Sequence, residues 1–307
     1  FQATVYEYWT PLSARCSMTG LAWRTALVAC AAIPCGSCVR LRFHPDDLYQ
    51  RPDDSVYECP QKERLRSAIE STLANLSLGF ARVECPPVRF FKPPRTRGDL
   101  GTMLRDMGFH GVGVEVGVQQ GNYTSALLAG WHQAALFVQV DVWDHQENYK
   151  DYANVDRKTH MKYKSDACKA GLSAKAGGLA GEVVQCQDFS TECAKLIPDG
   201  SLDFVYVDAR HDRKGVLEDL QAYWPKVRAG GIIAGHDYMT QAEVGRQQHW
   251  DVNYDGTGDA TGEAVRGAIN DFFSGTFEGS PQDLKECPRQ PVITYREMKW
   301  NTWIVAK

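Results

Sequence analysis

The sequence predicts an α/β protein. Its expected core is a doubly wound, mostly parallel seven-stranded sheet with an antiparallel C-terminal hairpin, preceded by a cysteine-rich N-terminal extension. Three observations carry that prediction. From Gly98 onward, short apolar runs alternate with amphipathic stretches, as expected of strands buried on both faces and joined by crossover helices. Those runs repeatedly stop at acids or histidines, where an open α/β sheet presents its ligand sites. The last two runs, Val292–Arg296 and Thr302–Ala306, stand close enough together to pair as a hairpin.

The chain has 307 residues and a net charge of −4. That length can bury a sizeable core. The near-neutral charge gives no reason to expect nucleic acid or an anionic membrane surface as the main partner. No apolar stretch reaches the length of a membrane span, and the longest early one, Leu27–Ile33, is short.

Residues 1–97 read as the extension and residues 98–307 as a Rossmann-like domain. Six of the ten cysteines, Cys16, Cys30, Cys35, Cys38, Cys59 and Cys85, fall in the extension. Such clustering predicts disulfides, and with them the secretory pathway lumen or an organelle rather than the cytosol. A metal or iron–sulfur site on Cys30, Cys35 and Cys38 lacks a suitably spaced fourth ligand. One helix is expected over residues 61–81, where Leu65, Ile69, Leu73 and Leu76 mark an apolar face suited to packing on the main domain. The extension is expected to lid the site or to mediate homo-oligomerisation or assembly.

The elements of the main domain follow in order. Strand Val112–Val116 runs into a turn at Gly117–Gly121 and a helix from Asn122. Strand Leu136–Val140 ends at Asp141, and after a polar loop comes a helix over Arg157–Gly171. Strand Glu182–Cys186 precedes Asp188, Phe189 and Ser190, which open another helix. Strand Leu202–Val207 ends at Asp208, and helix Lys214–Trp224 leads to strand Gly231–Ala234, which ends at His236 and Asp237. A helix over Glu263–Phe273 precedes the hairpin.

The chemistry is expected at these strand ends. Gly117 and Gly121 let backbone approach a ligand, and Asp141 stands where an acid can accept hydrogen bonds from both hydroxyls of a ribose. The glycines Gly111, Gly113, Gly117 and Gly121 do not form G-x-G-x-x-G after the strand, which argues against a nicotinamide dehydrogenase. A single acid at a strand end is often only a helix cap or an ion-pair partner, and His211 alone beside Asp212 and Arg213 reads as a surface residue. Asp208, His211, His236 and Asp237 at adjacent strand tips favour a functional cluster instead. His249, Trp250 and Tyr254, in the polar loop beyond them, are candidate acceptor contacts.

Three motifs, Val140-Asp141-Val142-Trp143, Asp208-Ala209-Arg210-His211 and Gly235-His236-Asp237-Tyr238, occur in order and at the spacing of a known family. From about Arg105 to Lys307 the chain resembles the class I S-adenosylmethionine-dependent methyltransferases, and among them the small-molecule and sugar O-methyltransferases. The resemblance implies methyl transfer to a hydroxyl of a sugar, glycan or other small polyhydroxylated molecule. It implies Glu115, Gly117 and Gly121 around the methionine part of the cofactor, Asp141 at its ribose and Asp188 beside its adenine. It also implies a divalent cation such as Mg²⁺ held by Asp208, His236 and Asp237, with His211 as the base. His236 stands where some relatives have a carboxylate, which removes a ligand that a hard cation prefers. The alternative is a catalytically idle methyltransferase fold serving as a structural or assembly subunit.

Overall fold

The computed structural model describes residues 57–76, 92–147, 149–246 and 248–307. Residues 1–56 and 77–91, with Cys16, Cys30, Cys35, Cys38 and Cys85, lie outside the described residues.

The chain forms, in order, α1 (Leu65–Asn75), α2 (Leu100–Asp106), β1 (Val112–Val116), α3 (Asn122–Gly130), β2 (Leu136–Asp141), α4 (Arg157–Ala176) and β3 (Glu182–Gln187). Then come α5 (Ser190–Ala194), β4 (Leu202–Val207), α6 (Arg213–Tyr223), β5 (Val227–Gly235) and α7 (Gln241–Val244). The last elements are α8 (Ala264–Ser274), α9 (Gln282–Glu286), β6 (Val292–Ile293) and β7 (Trp303–Ala306). The seven strands lie in the order β3-β2-β1-β4-β5-β7-β6. β1 to β5 are mutually parallel, and β7 runs antiparallel to both of its neighbours. The predicted fold class is therefore the observed one.

The strands are apolar because both faces are covered. Val114, Val138 and Val205 point into a core shared with α1, α6 and α8, while Phe137, Phe204 and Ile232 point into a second core with α2 and α3. The order reverses between β1 and β4, which opens a crevice above their carboxyl ends.

Two strand boundaries differ from expectation for physical reasons. β5 starts at Val227, not Gly231, because the register shifts between the pairs Leu202–Val227 and Phe204–Ile232. Gly230, at φ +75, and Gly231 form an irregularity inside the strand. β6 is short because the backbone N–H groups beyond Thr294, which still donates to the Thr302 carbonyl at 2.9 Å, turn away: Tyr295 and Arg296 both donate to the Arg95 carbonyl, at 3.3 and 2.9 Å.

Residues 57–76 pack on the sheet. Leu65 and Ile69 of α1 are fully buried in the first core, which removes apolar surface worth about 1.5–3 kcal/mol per side chain. A disulfide joins Cys59, just ahead of this helix, to Cys168 on α4, and a second joins Cys186 to Cys193. Among the described residues no helix is long and apolar enough to cross a membrane.

Candidate active site

β1 delivers Glu115 and then turns sharply at Gly117. This glycine has φ +87, and a Cβ there would meet the carbonyl oxygen of Asp208 at 2.0 Å. The tips of β1 and β4 thus abut through backbone, and only glycine fits between them. Gly121, at φ +76, is the residue before α3, and a Cβ on it would meet Ala167 of α4 at 2.8 Å.

Asp141, at the end of β2, fixes the shape of that turn. Its Oδ2 accepts from the N–H groups of Val118 and Gln119, both at 2.9 Å, and its Oδ1 accepts from Trp143 N–H at 2.8 Å. Burial raises its pKa, and the three backbone donors oppose the rise. Oδ1, which accepts from one donor, keeps a second lone pair to offer a ligand, while both lone pairs of Oδ2 are taken up by the turn. Glu115 is almost wholly buried and accepts a hydrogen bond from Thr124 Oγ1; burial pushes its carboxyl up to about 8.

Asp188 follows β3 and pairs with Lys62 Nζ at 2.6 Å. That hydrogen bond lowers its pKa. Lys62 comes from the turn ahead of α1, so the segment preceding the domain reaches the rim of the site.

The other half of the site is a charged cluster at the tips of β4 and β5. His211 is buried, and its Nδ1 lies 3.1 Å from the Asp151 carboxylate and 3.1 Å from the Tyr149 hydroxyl. A carboxylate only accepts, so Nδ1 carries the proton. On the other edge of the ring, Nε2 lies 3.1 Å from Asp237 Oδ2 and 3.8 Å from Asp208 Oδ1. His236 Nδ1 stands 2.8 Å from Asp237 Oδ1 and 3.8 Å from Asp208 Oδ2. The distances are those of ion pairs, but the angles are not those of hydrogen bonds, and His211 Nε2 and Asp237 Oδ1 have no hydrogen-bond partner. Buried polar atoms left in that state point to a missing ligand.

Charge in this cluster is strongly coupled. Burial works against a proton on His211, but Tyr149, Asp151, Asp208 and Asp237 outweigh it and hold the pKa well above the ordinary histidine value. Burial likewise opposes the carboxylate of Asp237, and His211 and His236 overcome it, leaving the pKa well below the usual range. Asp237 has φ +58, a strained conformation for a non-glycine residue. The Trp250 ring stacks on His211 with centroids 4.5 Å apart.

Asp208, His211 and Asp237 each offer a ligand atom, all within 4.8 Å of one another. The expected trio had His236 in place of His211, and both imidazoles border the same two carboxylates. Two carboxylates with imidazole nitrogen fit a borderline divalent cation better than a hard one. Arg97 also reaches this cluster, with Nη1 at 3.3 Å from Asp208 Oδ2.

A single cleft of about 780 Å³ joins the two halves. Glu115, Gly117, Asp141, Asp188, Asp208, His211, His236 and Asp237 all line it, while Gly121 supports the turn from behind. Of the three loop residues expected to meet an acceptor, Trp250 lines the cleft, His249 is exposed away from it, and Tyr254 covers Arg210 at 4.8 Å from its ring centroid. Sequence reasoning missed Tyr149, Asp151, Arg97 and Lys62. Tyr149 and Asp151 sit in the polar, aromatic loop after β2, whose composition was the available signal; nothing local marked Arg97 or Lys62.

Residues 114–238 match the family described as "Methyltransferase domain". Among curated proteins none is similar enough in sequence to count as a match. Among solved structures, an O-methyltransferase from Bacillus cereus in complex with SAH is 16% identical, with 80% of this chain and 91% of that chain covered and a TM-score of 0.44. The O-methyltransferase TomG from Streptomyces achromogenes, involved in tomaymycin synthesis and solved with SAM, is 14% identical, with 80% and 88% covered and a TM-score of 0.43. Neither likeness is strong enough to support a functional conclusion. The family match runs from within β1 to just past the end of β5, the strands whose tips build the cleft, so the part of this chain that carries the cleft, residues 114–238, is the part similar to a methyltransferase domain.

Proposed function

We propose that this protein is an S-adenosylmethionine-dependent O-methyltransferase acting on a hydroxyl of a sugar, glycan or other small polyhydroxylated molecule. The observation that supports this most is the buried row Asp151–His211–Asp237, which places an oriented imidazole beside the glycine turn in one cleft.

The cleft suits the cofactor in size and in lining. Its volume lies within the range of small-molecule sites. Glu115 and Gly117 would surround the methionine part, with Gly121 shaping the turn from behind, Asp141 the ribose, and Asp188 with the exposed ring of Phe189 the adenine. When bound, the cofactor supplies an electrophilic methyl group on a sulfonium.

The remaining steps belong to the chain's own residues. Asp151 holds His211 with Nδ1 protonated, so that Nε2 faces the cleft and can take the proton of an acceptor hydroxyl. Asp208 and Asp237, with His236 beside them, would hold a divalent cation that lowers the pKa of that hydroxyl. With those carboxylates engaged by a cation, the charge that keeps a proton on His211 Nε2 is reduced. Trp250 and Trp300 give aromatic walls, and the carboxylates accept hydroxyl protons, the pairing of surfaces that suits a polyol. Residues 1–97 are read as an N-terminal extension, and of its described residues Lys62 and Arg97 contribute to this site.

The test is calorimetry of purified protein with S-adenosylhomocysteine, followed by mass spectrometry of methyl transfer to a panel of sugars and other polyhydroxylated acceptors. Absence of affinity for the demethylated cofactor removes the reading. Affinity with no methylated polyol, while another acceptor class is methylated, corrects the substrate class.

A further inference from the structure

We propose that Arg97 is a cofactor-binding residue that pairs with the carboxylate at the methionine end of S-adenosylmethionine. The inference rests on the cofactor assignment above and adds a residue to it. Arg97 stands outside the segment that matches the methyltransferase family.

The argument begins with charge. Seven carboxylates and two guanidiniums line the cleft. Such a lining favours the sulfonium and the ammonium of the cofactor but repels its carboxylate. One of the two guanidiniums is enclosed: Arg210 donates from Nε to Asp212 at 2.6 Å and lies between the rings of Tyr149 and Tyr254, at 4.5 and 4.8 Å from their centroids, with its unpartnered Nη2 buried from the cleft. Arg97 is the remaining one.

Its position matches the need. Arg97 lies over the ring of Tyr123, 5.3 Å from the centroid, and shares the cleft wall with Glu115, Gly117 and Asn122, where the methionine part belongs. It is near enough to Glu115 to oppose the effect of burial on that carboxyl. Its backbone is fixed before any ligand arrives, since its N–H donates to Glu297 Oε1 at 2.7 Å and the Thr96–Asp99 capping box closes the turn it opens. A guanidinium has five N–H donors; one of them meets Asp208, at 3.3 Å, and the group also interacts with the Tyr206 hydroxyl. The others leave room for a two-pronged pair with a carboxylate.

The experiment compares three ligands by calorimetry: S-adenosylhomocysteine, its analogue with the carboxylate replaced by a carboxamide, and methylthioadenosine, which lacks the amino-acid end. For the wild-type protein the carboxamide is expected to bind about tenfold or more weaker than the carboxylate, the scale of a charge-assisted hydrogen bond. Arg97→Gln is expected to lose affinity for S-adenosylhomocysteine by a similar factor while keeping that for methylthioadenosine. Equal wild-type affinity for carboxylate and carboxamide overturns the proposal, and this measurement does not depend on whether the variant folds. An Arg97→Gln variant that loses both ligands in parallel, or neither, also overturns it. If the wild-type protein binds none of the three, the cofactor assignment itself fails.

Discussion

The carboxylate of Asp151 lies 3.1 Å from Nδ1 of His211, across a separation of 60 residues. Two loops that leave different strands are thereby joined at the one imidazole edge facing away from Asp208 and Asp237. Asp151 is a positioning residue for His211, and its removal should act on turnover. His211→Ala is expected to lower kcat by about a hundredfold or more, the usual contribution of a general base. Asp151→Asn should give a smaller loss, with the affinity for S-adenosylhomocysteine unchanged in both variants. Steady-state kinetics paired with calorimetry separates the effects. A drop in cofactor affinity equal to the drop in kcat would assign the pair to binding instead.

Asp141 ties three backbone N–H groups to the end of β2, and Gly117 allows the turn to press against β4. Asp141→Ala should abolish measurable cofactor binding while the fold persists. Gly117→Ala should act more broadly. It forces an L-residue into a left-handed conformation, at about 1–2 kcal/mol, and drives a Cβ into the Asp208 carbonyl. Thermal unfolding should show a clear loss of stability for Gly117→Ala and only a modest one for Asp141→Ala.

The Cys59–Cys168 and Cys186–Cys193 disulfides should differ in weight. Cys59–Cys168 closes a separation of 109 residues and Cys186–Cys193 one of 7. Chain entropy in the unfolded state makes the longer closure worth more, up to about 4–5 kcal/mol. Cys59→Ser is therefore expected to lower the denaturation midpoint more than Cys193→Ser, as measured by chemical unfolding under non-reducing conditions. The shorter bridge spans the loop carrying Asp188, so Cys193→Ser should weaken cofactor binding out of proportion to its effect on stability.

Asp219 of α6 is buried beneath the same loop, where it accepts a hydrogen bond from Ser190 Oγ, and burial pushes its carboxyl up to about 7. A carboxyl raised in the folded state binds its proton more tightly there than in the unfolded chain, whose value is about 3.9. Its contribution to stability is complete below about pH 4 and is lost as pH rises to about 7. Asp219→Asn should therefore gain stability relative to wild type between those limits, by at most about 4 kcal/mol. Parallel unfolding curves for the two proteins at pH 5 and pH 8, conditions chosen to fall on either side of about 7, would show the difference widening. A constant difference would mean that Asp219 titrates normally.

The fold was legible because strand burial is written locally. Val112–Val116 and Leu202–Val207 match the observed β1 and β4 residue for residue, since every side chain in them is buried and the residues that flank them, Gly111, Gly117, Ser201 and Asp208, are polar or glycine. The glycine-bearing start of β5 was not legible, because glycines interrupt the apolar run and only pairing with β4 fixes the register across them. Within the site, Glu115, Asp141, Asp208, His211, His236 and Asp237 sit at strand tips and could be found from the pattern of apolar runs alone. Asp151 and Arg97 could not, because neither stands at the end of a run. Their roles arise only when a loop folds back over the sheet or when a preceding segment crosses it. Cys168 likewise carries no sign of its partner 109 residues away.

β7 is the last strand in the sequence, yet it is the second from the edge of the sheet, between β5 and β6. During synthesis on the ribosome, the fully buried stretch Ile232–Gly235 of β5 is made about seventy residues before its outer partner Trp303–Ala306. Until then β5 presents an open, apolar, flat edge of the kind that seeks strands from other chains. A nascent chain of this protein passes through a long interval in which its site-forming strands exist but its sheet is unsealed. Premature termination anywhere in that interval would yield a sticky fragment rather than a weakened enzyme.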